Sequence, residues 1–431
     1  MIRGLMSPIY YDLSEQFLSS GIKFRYYGIA RTVMEVGYEL ACSPADVRFV
    51  VFSPAHDRFF EVEPRIGANS PTGACDPNIS PEAKPLRLRY SFPQPHPVRD
   101  ALYPLFRMIV KRICRKRWER AVPENSLREV DLSGQILVSL GRPKMMADYL
   151  VAMDNQNIQM RFYPLVHDMI PLHEFAHPSQ SMFARNFAHD NRIVISHAEA
   201  VMTNSAFTKT ELKHFSASGH LPILPPVVPV PLPHELRKTD ETVAITIPDK
   251  PYLLGVGVMT GRKNLECILQ AMVHLHNTGR PVPMFLLAGA HRKRTDKYLE
   301  RPELAPIRDK VQVILDPNQA SLRMLYQNAL ALVIPSHMEG FGLPLGEALW
   351  LGTPGLAADV PALREVGRDL AEYFDPNDPT ALASLIDKIH SDPKAHAAAK
   401  EKVRSNHTSL RTWKDVATDI IATVSPAPPR P

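Results

Sequence analysis

The chain has 431 residues, more than a single hydrophobic core usually serves, so two domains are the default. An apolar share of 45% is that of a globular protein, and the 41 prolines fall mainly in connectors, which excludes a wholly disordered chain. The formal charge of +5 suits phosphorylated ligands or an anionic surface, and no nucleic-acid motif accompanies it.

The N-terminal stretch MIRGLMSPIYYDLSEQF lacks the apolar centre of a signal peptide, and no apolar run reaches the ~18 residues that a spanning helix needs. Cys42, Cys75, Cys114 and Cys267 are scattered without metal-ligand spacing, as free thiols in a reducing cytosol would be. A cytoplasmic protein, soluble or peripheral at the inner face of the membrane, is expected.

Pro8 to Leu13 reads as a first strand that brings Asp12 to its end. In Gly28 to Leu40 the residues Ile29, Val33, Val36 and Leu40 recur at helical spacing. Gly28 either leaves room for a ligand at that helix's N-terminus or caps a turn. Val47 to Ser53 is a second strand, with Phe59 to Glu63 pairing nearby, and Pro64 to about Pro97 reads as an irregular insertion.

Residues 98–122 then form a cationic helix, kinked or started at Pro104. Leu102, Phe106, Ile109 and Ile113 share one side, and Arg107, Lys111, Arg112, Arg115 and Lys116 crowd another. The plainer reading packs the apolar stripe on the domain; the other lays it on an anionic membrane. Gly134 to Leu140 and Met160 to His167 are further strands. The latter delivers His167 and Asp168 to a sheet's carboxyl edge, where a ligand crevice lies, although His167 could simply cap the strand. His173 and His177 lack the H-E-x-x-H spacing of a zinc helix. Residues 191–203 supply a helix and a short strand, and AFTKTELKHF a connector helix.

Leu221 to Pro233, LPILPPVVPVPLP, is the clearest boundary in the chain, because its prolines favour extended backbone and break helices. Beyond it, Tyr252 to Gly257, Met284 to Gly289 and Val311 to Leu315 alternate with helices, a pattern that predicts a parallel doubly wound sheet. After the first of these strands Gly261 precedes Arg262 and Lys263, adjacent cations suited to a diphosphate.

Ala329 to Ile334 is an unbroken apolar run, typical of a strand covered on both faces. It leads into a loop where Gly340 and Gly342 bracket Phe341, and Leu343 and Pro344 open a helix that Gly352 ends. Such a loop aims amide groups and a helix N-terminus at an anion. Glu339 before the glycines and Glu347 in the helix, seven residues between them, suit sugar hydroxyls; the bland readings are a solvated loop residue and a first-turn helix carboxylate.

The run PSHMEGFGLPLGEAL, followed by GTPGLAADVPALREVGRDLAEYFDPNDPTALASLI, closely resembles the nucleotide-sugar half of retaining family 4 glycosyltransferases of the GT-B fold. Glu339 and Glu347 match that family's E-x7-E element. Glu365, Val366, Gly367 and Asp369 resemble its EV-G-D element, and Asp375, Pro376 and Asp378 its DP-x-D element. The resemblance implies two Rossmann-like doubly wound domains facing across a cleft. It also implies that Lys263 and Arg262 hold the donor diphosphate, Gly340, Phe341, Gly342 and Leu343 line the donor site, and Glu347 takes the ribose. Glu339 and His167 would contact the transferred sugar, with Gly28 and Asp168 on the sugar and acceptor side. Val258 stands where the family usually has a second arginine.

The expectation is therefore an N-terminal acceptor-binding domain over 1–225 and a nucleotide-sugar domain over 226–407, with a helix at 408–425 packing back on the first and a disordered tail, SPAPPRP. HDMIP with RKNL resembles mannosyl- and rhamnosyltransferase members, which makes mannose from GDP-mannose the first donor guess and a glycan or lipid-linked saccharide the acceptor. No D-x-D element occurs, so neither metal nor other cofactor is expected. A UDP- or dTDP-sugar donor, a non-catalytic nucleotide-sugar-binding protein and a glycoside hydrolase are the alternatives.

Overall fold

The computed structural model describes residues 8–18, 28–70, 73–86, 88–123, 126–176, 181–257, 261–289 and 292–425. They form two compact units, one of Met1–Asn204, Thr208–Val230 and Trp413–Pro431, the other of Ser205–Phe207 and Pro231–Thr412. The outward crossing at Val230 lies inside the proline-rich stretch. The return comes at Thr412 rather than at 407, because the Arg411 amide donates to His234 Nδ1 at 3.1 Å and the His234 amide to the Arg411 carbonyl at 2.9 Å.

The first unit contains β1 (Ile9–Asp12), β2 (Val47–Ser53), β3 (Arg58–Val62), β4 (Arg65–Ile66), β5 (Cys75–Asp76), β6 (Arg128–Val130), β7 (Ile136–Ser139), β8 (Arg161–Val166), β9 (Val201–Thr203) and β10 (Val227–Pro229). Its main sheet runs β10-β9-β8-β7-β1-β2-β3-β6. The strands from β10 to β2 are parallel, whereas β3 and β6 pair antiparallel at one edge. The short turn between Ser53 and Arg58 dictates that reversal, since a parallel neighbour needs a crossover of a dozen or more residues. Tyr10, Val50 and Leu137 pack one face of the sheet against Met146, Tyr149 and Leu150. The helix Trp413–Val424 lies on the helix Gly28–Ala41, with the Trp413 ring fully buried and the Arg31 guanidinium carbon 5.7 Å from its centroid.

The stretch expected to be irregular contains the β4–β5 pair, held by Arg65 and Asp76. The cationic helix runs Pro97–Ala121, so Pro104 lies within it and Pro97 opens it behind His96, whose Nδ1 accepts from the Arg99 amide. Its buried side chains are Val110, Cys114 and Trp118. The stripe of Leu102, Phe106, Ile109 and Ile113, for which packing on the domain was the plainer reading, faces solvent.

The second unit contains β11 (Tyr252–Val256), β12 (Met284–Ala288), β13 (Val311–Ile314), β14 (Ala331–Ile334), β15 (Gly355–Ala358) and β16 (Ala371–Phe374). They pair wholly in parallel in the order β13-β12-β11-β14-β15-β16. Leu253, Phe285, Leu287 and Val333 face the helices Leu265–Asn277 and Pro379–Ser391 through Ile268, Leu382 and Ile386, all essentially inaccessible. The chain builds outward through β12 and β13, then returns to lay β14 on the other side of β11. The connections leaving β11 and β14 therefore splay apart and open a crevice at the strands' carboxyl ends. No helix among the described residues is long and apolar enough to cross a membrane.

Candidate functional site

In the second unit the crevice is flanked by the two stretches that the sequence singles out. The connection after β11 carries Arg262 and Lys263 in a turn, Gly261–Lys263, ahead of the helix Leu265–Asn277. The connection after β14 carries Glu339. Their side chains meet: Lys263 Nζ donates to Glu339 Oε1 at 2.5 Å and Arg262 Nη1 to Glu339 Oε2 at 2.9 Å. Ser336 Oγ donates to Oε1 at 2.7 Å, and Arg262 Nη1 also reaches the Met338 carbonyl at 2.8 Å.

Glu339 is 6% exposed, so its charge is far from bulk water. Burial alone would raise its pKa, but Lys263 and Arg262, with the Lys263 and Ser336 hydrogen bonds, outweigh it and hold the carboxyl at about 2. The solvated-loop reading of Glu339 is thereby excluded. Two cations and one carboxylate leave the cluster with one net positive charge beside a helix N-terminus.

That helix, Leu343–Trp350, begins behind Gly342, whose φ of +107° is open to glycine alone. Gly340, Phe341 and Gly342 are buried, while Leu343 and Pro344 are partly exposed. The first amides of a helix have no partner within it, and they open at this point. Glu347 belongs to the second turn rather than the first and is 4% exposed, with Tyr326 Oη donating to its Oε2 at 2.7 Å. The first-turn, helix-dipole reading of Glu347 therefore fails.

Three residues of this site went unread in the sequence. Ser336 and Tyr326 orient the two carboxylates. Asn264, at φ +55°, ties the connections together: its Nδ2 donates to the Pro335 carbonyl at 3.2 Å and the Pro376 carbonyl at 2.8 Å. The only local signal was the R-K-N triplet, because the partners of Asn264 lie 71 and 112 residues away. Val258 falls outside the described residues.

In the first unit the strand order reverses between β1 and β7. Asp12, at the end of β1, is buried and accepts from the Ser14 amide at 2.8 Å and Ser139 Oγ at 2.7 Å; burial raises its pKa despite those bonds. His167 follows β8, and its Nε2 lies 2.7 Å from the Leu140 carbonyl just beyond β7. A carbonyl can only accept, so Nε2 carries the proton and Nδ1 presents a lone pair. Asp168 turns back to accept from the Ile170 amide at 3.1 Å, and Gly28 opens its helix at φ +59°. His173 pairs with Glu211, and His177 lies outside the described residues.

Burial drives the His167 pKa down to about 4, against the donor bond to Leu140, which raises it. A free imidazole titrates near 6.5, so between about 6.5 and 4 the unfolded chain takes up a proton that the folded chain refuses. Stability should therefore fall as pH drops through that window. Urea midpoints compared at neutral and mildly acidic pH test this. The loss should be larger in the wild type than in His167→Gln, and equal losses would place His167 in an ordinary solvated setting.

Known proteins resemble the chain in sequence and in fold. Residues 238–406 match the family model described as glycosyl transferases group 1. That span contains Arg262, Lys263, Glu339 and Glu347. The serotype-specific mannosyltransferase WbdA of Escherichia coli is 27% identical over 271 residues, which is 59% of this chain and 32% of that protein. The chain thus spans about a third of the length of that relative. Sucrose-phosphate synthase from Thermosynechococcus elongatus superposes with a TM-score of 0.64 at 18% identity, covering 97% of this chain and 98% of that one. Anabaena HepE, solved in complex with UDP-glucose, gives 0.59 at 14% identity and covers 97% and 99%. Both sheets being doubly wound as the resemblance implied, the chain has the GT-B fold, and its residues 238–406 are similar to the glycosyl transferases group 1 family.

Proposed function

We propose that this protein is a hexosyltransferase that moves a sugar, mannose from GDP-mannose as the first assignment, from a nucleotide donor to a glycan or lipid-linked saccharide in polysaccharide biosynthesis. The observation that carries the reading is the meeting of Arg262, Lys263 and Glu339 at the switch point of a parallel sheet, next to the N-terminus of the helix Leu343–Trp350. Similarity to WbdA supports mannose, and similarity to a protein solved with UDP-glucose supports a nucleotide-sugar site.

The bond from the sugar's anomeric carbon to the diphosphate breaks, one to the oxygen of an acceptor hydroxyl forms on the same face, with retention, and the hydroxyl's proton leaves on the departing diphosphate. The barrier lies in the charge that develops on the diphosphate and on the sugar ring. Lys263 acts on the diphosphate as a point charge and Arg262 as a fork; the amides around Gly342 and Leu343 add fixed dipoles. With these cations in place, the reaction needs no divalent metal. Phe341 and Gly340 shape the loop, and Glu347, oriented by Tyr326, accepts from the ribose. Glu339 stays ionised and contacts the sugar while keeping both cations in position. His167 is neutral at working pH, and its Nδ1 accepts from a sugar hydroxyl; Gly28 and Asp168 belong to the sugar and acceptor side.

A carboxyl held at about 2 cannot protonate a leaving group near neutral pH, which removes the general acid that a glycoside hydrolase requires of Glu339. We assign the protein to the cytoplasm, where nucleotide sugars serve as donors.

Incubation with GDP-mannose and a saccharide acceptor in EDTA, with NMR of the product anomer, tests the reading. It predicts transfer with the donor's configuration kept; release of free sugar only, or inversion, would refute it. Glu347→Gln should weaken binding of a nucleoside diphosphate by about tenfold, roughly 1.4 kcal/mol, and leave pyrophosphate, which has no ribose, unaffected. Equal weakening of both ligands would take Glu347 off the ribose.

A further inference from the structure

The helix Pro97–Ala121 is anchored to the first unit by a single face. Val110, Cys114 and Trp118 are buried at four-residue spacing, and Trp118 packs against Phe17 and Phe60 with ring centroids 5.8 and 5.0 Å apart. On the flank of that face Arg107 and Lys111 turn toward Asp57, and the Arg107 guanidinium lies 4.1 Å from the Tyr90 ring centroid.

At 100° per residue the opposite face belongs to other side chains. Leu102, Leu105, Phe106, Met108 and Ile109 are each half exposed or more, with values of 61, 56, 50, 61 and 50%. Soluble surfaces scatter single apolar residues; five large ones within two turns make a contiguous patch, of the kind that marks an interaction site. Toward the C-terminus the outward surface changes character. Arg112, Arg115, Lys116, Arg117 and Arg120 are all exposed, with Glu119 the only acid among them. A groove of about 760 Å³ runs alongside, where Arg107, Lys111, Arg112, Arg115 and Lys116 outnumber the one acid, Glu119, around Met108. The helix is thus apolar outward in its first half and cationic in its second.

We infer that this outward face docks on an anionic lipid surface, with the end around Leu102–Ile109 entering the acyl boundary and the cationic end meeting headgroup phosphates. Charge complementarity selects this occupant. A second copy of the chain fits poorly: parallel pairing of two such helices sets cations against cations, and antiparallel pairing sets each apolar half on a cationic one. An acidic partner protein would satisfy the cations and leave the apolar half in water. A membrane surface offers phosphate and hydrocarbon within one helix length, and a helix graded along its axis enters it tilted. The inference stands apart from the nucleotide-sugar reading.

Co-sedimentation of the full chain with vesicles of phosphatidylcholine alone, and with about a third phosphatidylglycerol, tests it. Partition should be at least about tenfold stronger on the anionic vesicles and should fall with salt. Phe106→Ser with Ile109→Ser should reduce it about tenfold and change the melting temperature little, because each side chain is already half exposed. Arg115→Glu with Lys116→Glu should abolish the preference for anionic vesicles. Equal binding to both vesicles, binding to neither, or variants that bind like the wild type would each overturn the proposal. So would a dimer in analytical ultracentrifugation that Phe106→Ser with Ile109→Ser dissociates, since that assigns the face to a second copy.

Discussion

Lys263→Met should lower the rate of glycosyl transfer by roughly a thousandfold while the protein remains folded. The side chain reaches Glu339 Oε1 at 2.5 Å, and in the proposed function its ammonium is the compact charge that meets a departing diphosphate. Methionine keeps most of the aliphatic stem and removes only the charge. Glu339 retains Arg262 Nη1 at 2.9 Å and Ser336 Oγ at 2.7 Å, so its buried carboxylate is not orphaned. The stability loss should therefore stay near 1–3 kcal/mol, the cost of one charge-assisted hydrogen bond in a partly buried setting. Transfer rate and thermal unfolding, measured on the same preparation, separate the two effects. A folded Lys263→Met enzyme with an intact rate would remove Lys263 from the chemistry.

Gly342→Ala should destabilise the second unit by roughly 2–5 kcal/mol. Two costs coincide there. An L residue is strained at φ +107°, and an added Cβ would come within 2.4 Å of Leu363 Cδ2. Leu363 is itself fully buried, so it has little room to give way. Gly28 is the informative comparison: its φ is +59°, yet a Cβ there would meet nothing within 4 Å among the described residues. Gly28→Ala should therefore cost only about 1 kcal/mol, the price of a left-handed residue without a clash. Thermal melts of both variants check the contrast, and equal losses would mean that the Leu363 contact plays no part.

The fold was legible where burial leaves a pattern along the chain. Ala331–Ile334 is an unbroken apolar run because helices cover both faces of β14, and the β-α alternation beyond Tyr252 follows from a parallel sheet. β15 and β16 were not read as strands. Gly355–Ala358 is small and short, and Ala371–Phe374 is only partly buried, so neither carries a strong apolar period. The helix Pro97–Ala121 shows another limit. Periodicity reveals that a stripe exists but not which stripe is buried, and the more apolar one, through Leu102 and Ile109, faces outward while Val110, Cys114 and Trp118 face in.

The site divides in the same way. Arg262, Lys263 and Glu339 could be singled out because charge beside glycine in a strand-to-helix connection is itself a signal. Their mutual pairing could not be foreseen, since 76 residues separate Lys263 from Glu339 and only the strand order 3-2-1-4-5-6 brings the two connections together. Ser336 and Tyr326 each act through one hydrogen bond to a carboxylate, and Asn264 through two to carbonyls far along the chain, and a lone serine, tyrosine or asparagine looks the same in any loop or helix.

The central claim is that the crevice between β11 and β14 binds a nucleoside diphosphate. The most direct test is a calorimetric titration of the whole protein with GDP, UDP and dTDP in EDTA, repeated on Lys263→Met. The account predicts that one of the three binds selectively and that the variant binds it at least about tenfold more weakly. No binding of any of them by demonstrably folded protein, or binding that Lys263→Met leaves unchanged, would contradict it.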